Sequence, residues 1–297
     1  MQQKVVMMVT GEEENLIVVD GLAKQYKEFT LHGIHFHLPA GYIMGMIGPN
    51  GAGKTTTIKA LLDMIRPDAG HISMLGANTA NDRIALRDSL GVQLDTTLYP
   101  DYWRVKQVAK SLRDFFPQWD DAYFDQLCRE MDIPSKTKYK SMSRGTQVKL
   151  QLAAALAHHP RLLILDEPTG GLDPLARDEL LTRLQDFIAD GEHSVLLSTH
   201  LTGDLERIAD FLLYIRGGRQ QFFGHVDDLL NQYVLVKGGL NELTPALREV
   251  LIGLRTHSEG FSGLLAVDQT AGLPDTLLQE SITLEELMIY FGRGGHA

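Results

Sequence analysis

Apolar residues fall into two rhythms along this chain. Through the first third they come mostly as short runs: Leu16–Val19, Ile34–Leu38 and Tyr42–Ile47 read as strands, with Asp20–Gln25 and Pro39–Gly41 as turns between them. Ile58, Leu61, Leu62 and Ile65 then recur at helical spacing until Pro67. A strand at His71–Leu75, a helix at Asp82–Ser89 and a strand at Leu90–Leu94 follow. From about residue 96 to 156 the rhythm is helical. Val105, Val108, Leu112 and Phe115 form one stripe, Phe124, Leu127 and Met131 another, and a third helix runs from about Gly145 to Ala157.

Strand-sized runs return at Leu162–Leu165, which ends in Asp166-Glu167, and at Val195–Leu197, which ends in Ser198-Thr199-His200. Helices are predicted at about Leu175–Asp190 and Leu201–Ile208, and a hairpin joins Phe211–Arg216 to Gln220–Phe223. The remainder carries a strand at Val234–Val236, a helix over Leu243–Leu254, a strand at Gly263–Val267 and a last amphipathic helix through Leu284, Leu287, Met288 and Phe291. Thr283-x-x-Glu286 fits a capping box for that helix. The pattern is an α/β core with a helical insertion and a small α+β appendix, divided as 15–235 and 236–297.

Composition narrows the class. The chain has 297 residues and a formal net charge of −10, which disfavours broad nucleic-acid binding. No apolar run reaches the roughly 18 residues of a membrane span, and Met1–Thr10 lacks the regions of a signal peptide, so a cytoplasmic protein is expected. The single cysteine, Cys128, sits in an apolar helical stripe and reads as a buried, inert thiol. His32, His35 and His37 read as exposed strand histidines, because no further ligand converges with them.

Chemistry enters at Gly48–Thr56, which matches the phosphate-binding pattern G-x-x-x-x-G-K-[ST]. Glycines let backbone N–H groups crowd a phosphate chain. Asn50, Gly51, Ala52 and Gly53 supply that cradle, Lys54 reaches the β- and γ-phosphates, Thr55 offers its hydroxyl to Mg²⁺, and the helix beginning near Thr56 turns its dipole on the anion. Asp166 ends a buried strand, where it is placed to hold Mg²⁺, and Glu167 beside it can polarise an attacking water. His200 can contact the γ-phosphate, and Ser143-Arg144-Gly145 opens a helix whose N-terminus is a second anion site.

With these motifs in order, residues 15 to 230 resemble the ATP-binding cassette (ABC) family of ATPases: a Walker A loop, a signature segment Met142–Gln147, a Walker B strand with Asp166 and Glu167, a D-loop Gly171-Leu172-Asp173 and a switch histidine, His200. The resemblance implies a P-loop (RecA-like) core with an antiparallel β subdomain and an inserted helical one, hydrolysing ATP with Mg²⁺. It implies Tyr26 stacked on adenine and a head-to-tail homo- or heterodimer. There Ser143 and Gly145 touch the partner's γ-phosphate, and Asp173 connects the two sites. It also implies a separate membrane-spanning permease that holds the subunit at the cytoplasmic face of the membrane, near Leu98, Tyr99, Tyr102 and Trp103.

Three positions depart from the family pattern, among them Thr146 where the signature carries Gln. Asp95 stands where the Q-loop carries Gln, and could hold a metal-bound water. Arg144 stands where the signature carries Gly, and would either add charge near the partner's phosphates or be solvated. With Thr97–Pro100 and the tail Thr283–Tyr290, these resemble a bacterial exporter group that includes ATPases of phenol-soluble-modulin export and of antibiotic-response efflux, which implies export of amphipathic or antimicrobial peptides or antibiotics. The alternative, a non-transport member acting on nucleic acid or ribosomes, is disfavoured by the acidic balance, the single cassette and the lack of coiled-coil heptads.

Overall fold

Five strands carry the site, and their order in one sheet explains how. The computed structural model describes residues 14–78, 82, 86–96 and 99–293. Strands β1 (Asn15–Gln25), β2 (Thr30–Pro39) and β3 (Ile43–Ile47) precede helix α1 (Lys54–Leu61). Next come β4 (Ala69–Met74) and β5 (Leu90–Gln93), then helices α2 (Val105–Arg113), α3 (Asp121–Glu130) and α4 (Arg144–Leu156). The pattern β6 (Leu162–Asp166), α5 (Pro174–Ile188), β7 (Ser194–Thr199), α6 (Thr202–Ile208), β8 (Phe211–Arg216), β9 (Arg219–His225) returns the chain to the sheet. The order is β4-β1-β2-β9-β8-β3-β7-β6-β5. Strands β8, β3, β7, β6 and β5 run parallel, while β1 pairs antiparallel with β2 and β4.

Every residue of β3, β6 and β7 is buried, as strands covered on both faces require. Their carboxyl ends meet at one edge, the crevice where open α/β sheets take ligands. Helices α2, α3 and α4 pack on one another through Val108, Phe124, Leu127 and Leu152, as the stripes predict. Cys128 is buried there, and burial pushes its thiol up to about 12.

The final segment adds α7 (Val226–Asn231), β10 (Tyr233–Gly238), α8 (Pro245–Val250), β11 (Ile252–His257), β12 (Gly260–Ala266), β13 (Leu278–Glu280) and α9 (Leu284–Arg293). Its sheet, β11-β12-β10-β13, is antiparallel. One of its faces joins the main core: Leu235, Leu264, Leu284, Leu287 and Tyr290 belong to the cluster that holds Leu205 and Leu212. The capping box forms, since Glu286 accepts from the Thr283 amide at 3.1 Å and Thr283 Oγ1 accepts from the Glu286 amide at 3.2 Å.

Five expectations are corrected. Asp20–Gln25 is strand rather than turn, kept in β1 by register shifts that absorb Gly21. The helix after the glycine loop stops at Leu61, well before Pro67, and Asp63 turns left-handed at φ +55°. Phe115 lies beyond the end of α2 and is 76% exposed, so it leaves the core stripe. The helix over Leu243–Leu254 gives way after Val250 to β11, because Gly253 at φ +66° bulges the chain into a hairpin with β12. His37 is half-buried, its ring packed edge-on against Phe223 at 5.0 Å, whereas His35 bonds Asp20 at 2.8 Å. Most of the Asp82–Ser89 segment lies outside the described residues, and its end, Arg87–Ser89, is a single 3₁₀ turn.

Candidate functional site

The glycine loop leaves β3 and closes on α1. Gly53 caps α1 at φ +119°, a conformation that any side chain would strain. A Cβ on Gly48 would stand 2.1 Å from the Ile215 carbonyl, so only glycine lets the loop pass β8. Asn50, Gly51, Ala52, Gly53, Lys54, Thr55 and Thr56 line a cleft of about 600 Å³ together with Asp95 and Glu167. Such a volume suits a nucleotide.

Lys54 is buried and donates to the Gly48 carbonyl at 2.7 Å, with its ammonium 3.5 Å from Glu167 Oε1. The other oxygen of Glu167, Oε2, lies 2.7 Å from His200 Nδ1. Thr55 Oγ1 donates to Asp166 Oδ2 at 3.0 Å, and Ser198 Oγ donates to Asp166 Oδ1. Cation, hydroxyl and two carboxylates therefore converge from three strand ends. Glu167 sits at φ +52°, which costs ~1–3 kcal/mol for a non-glycine residue. Its amide is held by the Ser198 carbonyl at 3.0 Å, and its carbonyl accepts from Gly170 at 3.2 Å, so the bend is fixed from both sides.

The remaining expected residues lie around this centre. Among the described residues the cleft wall includes Glu28 and Phe29 but not Tyr26, which is 40% exposed with the Lys24 ammonium 5.8 Å over its ring. Ser143 caps α4, its Oγ accepting from the Thr146 amide at 3.1 Å. Leu172 stands where a Cβ on Gly145 would meet it at 3.2 Å. Asp173 caps α5 by accepting from Leu175 at 3.1 Å and Ala176 at 3.0 Å. Arg144 stays exposed and forms an ion pair with Asp95, 49 positions away in sequence, so these two departures from the family pattern touch.

Sequence reading missed Ser198, Phe29 and Glu28. Ser198 was findable, because β7 neighbours β6 and its last residues must flank Asp166. Phe29 and Glu28 precede β2 in an irregular stretch with no periodicity to mark them. A second, largely apolar cleft of about 500 Å³ lies between β5 and the helical insertion, lined by Val92, Leu94, Tyr99, Leu112, Phe115 and Phe116 among others. Tyr99 stacks on Trp103 at 6.4 Å while Tyr102 is 68% exposed; Leu98 lies outside the described residues.

A glycine loop after a central parallel strand, opposite an Asp-Glu pair on a second strand, defines a P-loop nucleoside-triphosphatase core. Residues 31–170 match the family profile described as ABC transporter. The Nod factor export ATP-binding protein I of Ralstonia nicotianae is 34% identical over 260 residues, covering 82% of this chain and 78% of its own. The ABC transporter ATP-binding protein YtrB of Bacillus subtilis is 27% identical, covering 79% of this chain and 80% of its own. A solved ATP-binding subunit of an ABC transporter superposes with a TM-score of 0.66 at 28% identity, covering 73% of this chain and 92% of that one. The chain belongs to the ATP-binding subunits of ABC transporters, which hydrolyse ATP in transport.

Proposed function

We propose that this subunit powers an exporter, and that its own cleft is half of the hydrolytic site. The observation that carries the reading is that Lys54, Thr55 and Glu167 line one nucleotide-sized cleft, with Asp166 bonded to Thr55. Lys54 exchanges Glu167 for the β- and γ-phosphates, and the released Glu167 carboxylate takes the proton of the attacking water. His200 holds Glu167 Oε2 in the meantime and turns to the γ-phosphate when ATP arrives. Tyr26 stacks on the adenine at the outer end.

The Thr55 hydroxyl and the Asp166 carboxylate are hard oxygen donors that would hold Mg²⁺, with Asp95 of the same cleft as a further ligand, direct or water-mediated. Held there, the ion would supply charge neutralisation to the phosphates. Ser143 and Gly145 head the signature helix outside their own cleft, and they serve the ATP of a second subunit packed head to tail. Asp173 links the two sites.

Among the described residues no helix is long and apolar enough to cross a membrane, so a separate permease carries the cargo. Its cytoplasmic end docks in the apolar cleft lined by Tyr99 and Phe115, which holds the subunit at the cytoplasmic face. Export is supported by the likeness to a protein named for Nod factor export. The cargo class we assign is amphipathic, peptides or antibiotics, on the Arg144 signature and the Thr283–Tyr290 tail. An acidic chain with one cassette gives a nucleic-acid partner no support.

Glu167→Gln is expected to bind ATP as the wild type does while its turnover falls about 100-fold or more, the scale of a general base. Turnover within a few-fold of the wild type contradicts the assignment. Reconstitution with the neighbouring membrane subunit tests the cargo: amphipathic peptides or antibiotics stimulate turnover if the export reading holds.

A further inference from the structure

Four residues after His200, the carboxylate of Asp204 is fully buried between two other segments of the site. Its Oδ2 accepts from Thr169 Oγ1 at 2.6 Å, and its Oδ1 pairs with Arg177 Nε. Thr169 is 1% exposed and sits two residues past Glu167, inside the bend that holds Glu167 left-handed. Arg177 lies in the first turn of α5, where its amide bonds the Asp173 carbonyl at 3.0 Å. Asp204 itself lies in the first turn of α6, the helix that follows His200. One carboxylate therefore joins the segments that carry Glu167, Asp173 and His200, and it ties the Asp173 segment to the Glu167–His200 pair.

We infer that Asp204 is a positioning residue: through Thr169 and Arg177 it sets the Glu167 bend, the Asp173 loop and the His200 turn in one mutual geometry. The inference rests on the reading of Glu167 and His200 as the hydrolytic pair. A carboxylate out of water is expensive unless it is paired and hydrogen-bonded, and both of its oxygens are engaged here. Removing a partner leaves that oxygen unsatisfied and frees the segment it held. Thr169, Arg177 and Asp204 do not line the cleft, so nucleotide affinity is spared while alignment for attack is lost. A misplacement of about 1 Å costs up to ~100-fold in rate.

The test uses the full chain and the isosteric change Thr169→Val. The expected result is a fall in kcat of about 10- to 100-fold, with the ATP Kd within about twofold of the wild type. Thr169→Ser, which keeps the hydroxyl, is expected to restore kcat. Arg177→Gln is expected to lower kcat alike, and the double variant Thr169→Val/Arg177→Gln to lose little more than either alone, because both act through one carboxylate. Unchanged kcat in Thr169→Val, failure of Thr169→Ser to rescue, or losses that simply multiply overturn the inference. Glu167→Gln is run in parallel: if that variant turns over normally, the assignment of the hydrolytic pair fails instead.

Discussion

Lys54 is a buried cation that faces two oxygens, the Gly48 carbonyl and Glu167 Oε1. The lysine and the candidate base thus keep each other company until phosphate competes for the ammonium. Charged hydrogen bonds contribute ~1.5–3 kcal/mol each. Lys54→Ala is therefore expected to raise the ATP Kd by about 10- to 100-fold. An unchanged Kd by fluorescent-nucleotide titration contradicts the role. The same substitution leaves Glu167 with His200 as its remaining partner.

Among the elements, the signature helix α4 and the segment after β5 are joined by Arg144–Asp95. Both side chains are nearly half exposed, at 44% and 49%, so the pair contributes ~0–1 kcal/mol to stability. Its interest lies in what it joins: Asp95 lines the cleft, and Arg144 opens the signature helix. Asp95→Asn is expected to shift the melting midpoint by less than about 4 °C, while raising the Mg²⁺ concentration for half-maximal turnover. An unchanged Mg²⁺ requirement contradicts the place given to Asp95.

At this scale the sequence was legible where local pattern and burial agree. Leu162–Leu165 could only be a covered strand, and the acids after it had to face the crevice. It was not legible at Leu243–Leu254, whose apolar spacing fits a helix until Gly253 turns the chain. Nor was it legible where contact depends on tertiary placement. Arg144 and Asp95 each stood out as unusual, yet nothing in their spacing pairs them, and Asp204 carried no local mark at all.

Across the whole molecule, the last 62 residues read as an appendix, but one face of their sheet and α9 continue the main core. Arg216 of β8 donates to the Phe291 carbonyl at 2.7 Å and the Gly292 carbonyl at 2.8 Å, and Glu206 of α6 accepts from the Leu284 amide. We propose that residues 236–297 are an accessory unit for dimer or permease contacts, braced on α6. Their removal uncovers the apolar surface that Leu284, Leu287 and Tyr290 cover, each worth ~1.5–3 kcal/mol. A chain cut at 235 is expected to melt more than about 5 °C lower, and one that melts with the full chain contradicts that bracing.

We propose that a second subunit completes the site, and light scattering of Glu167→Gln with and without MgATP tests this most directly. With hydrolysis blocked, ATP is expected to hold two subunits together, doubling the mass, and Ser143→Arg is expected to abolish the doubling. A monomer at saturating ATP, or a dimer indifferent to both nucleotide and Ser143, contradicts the account.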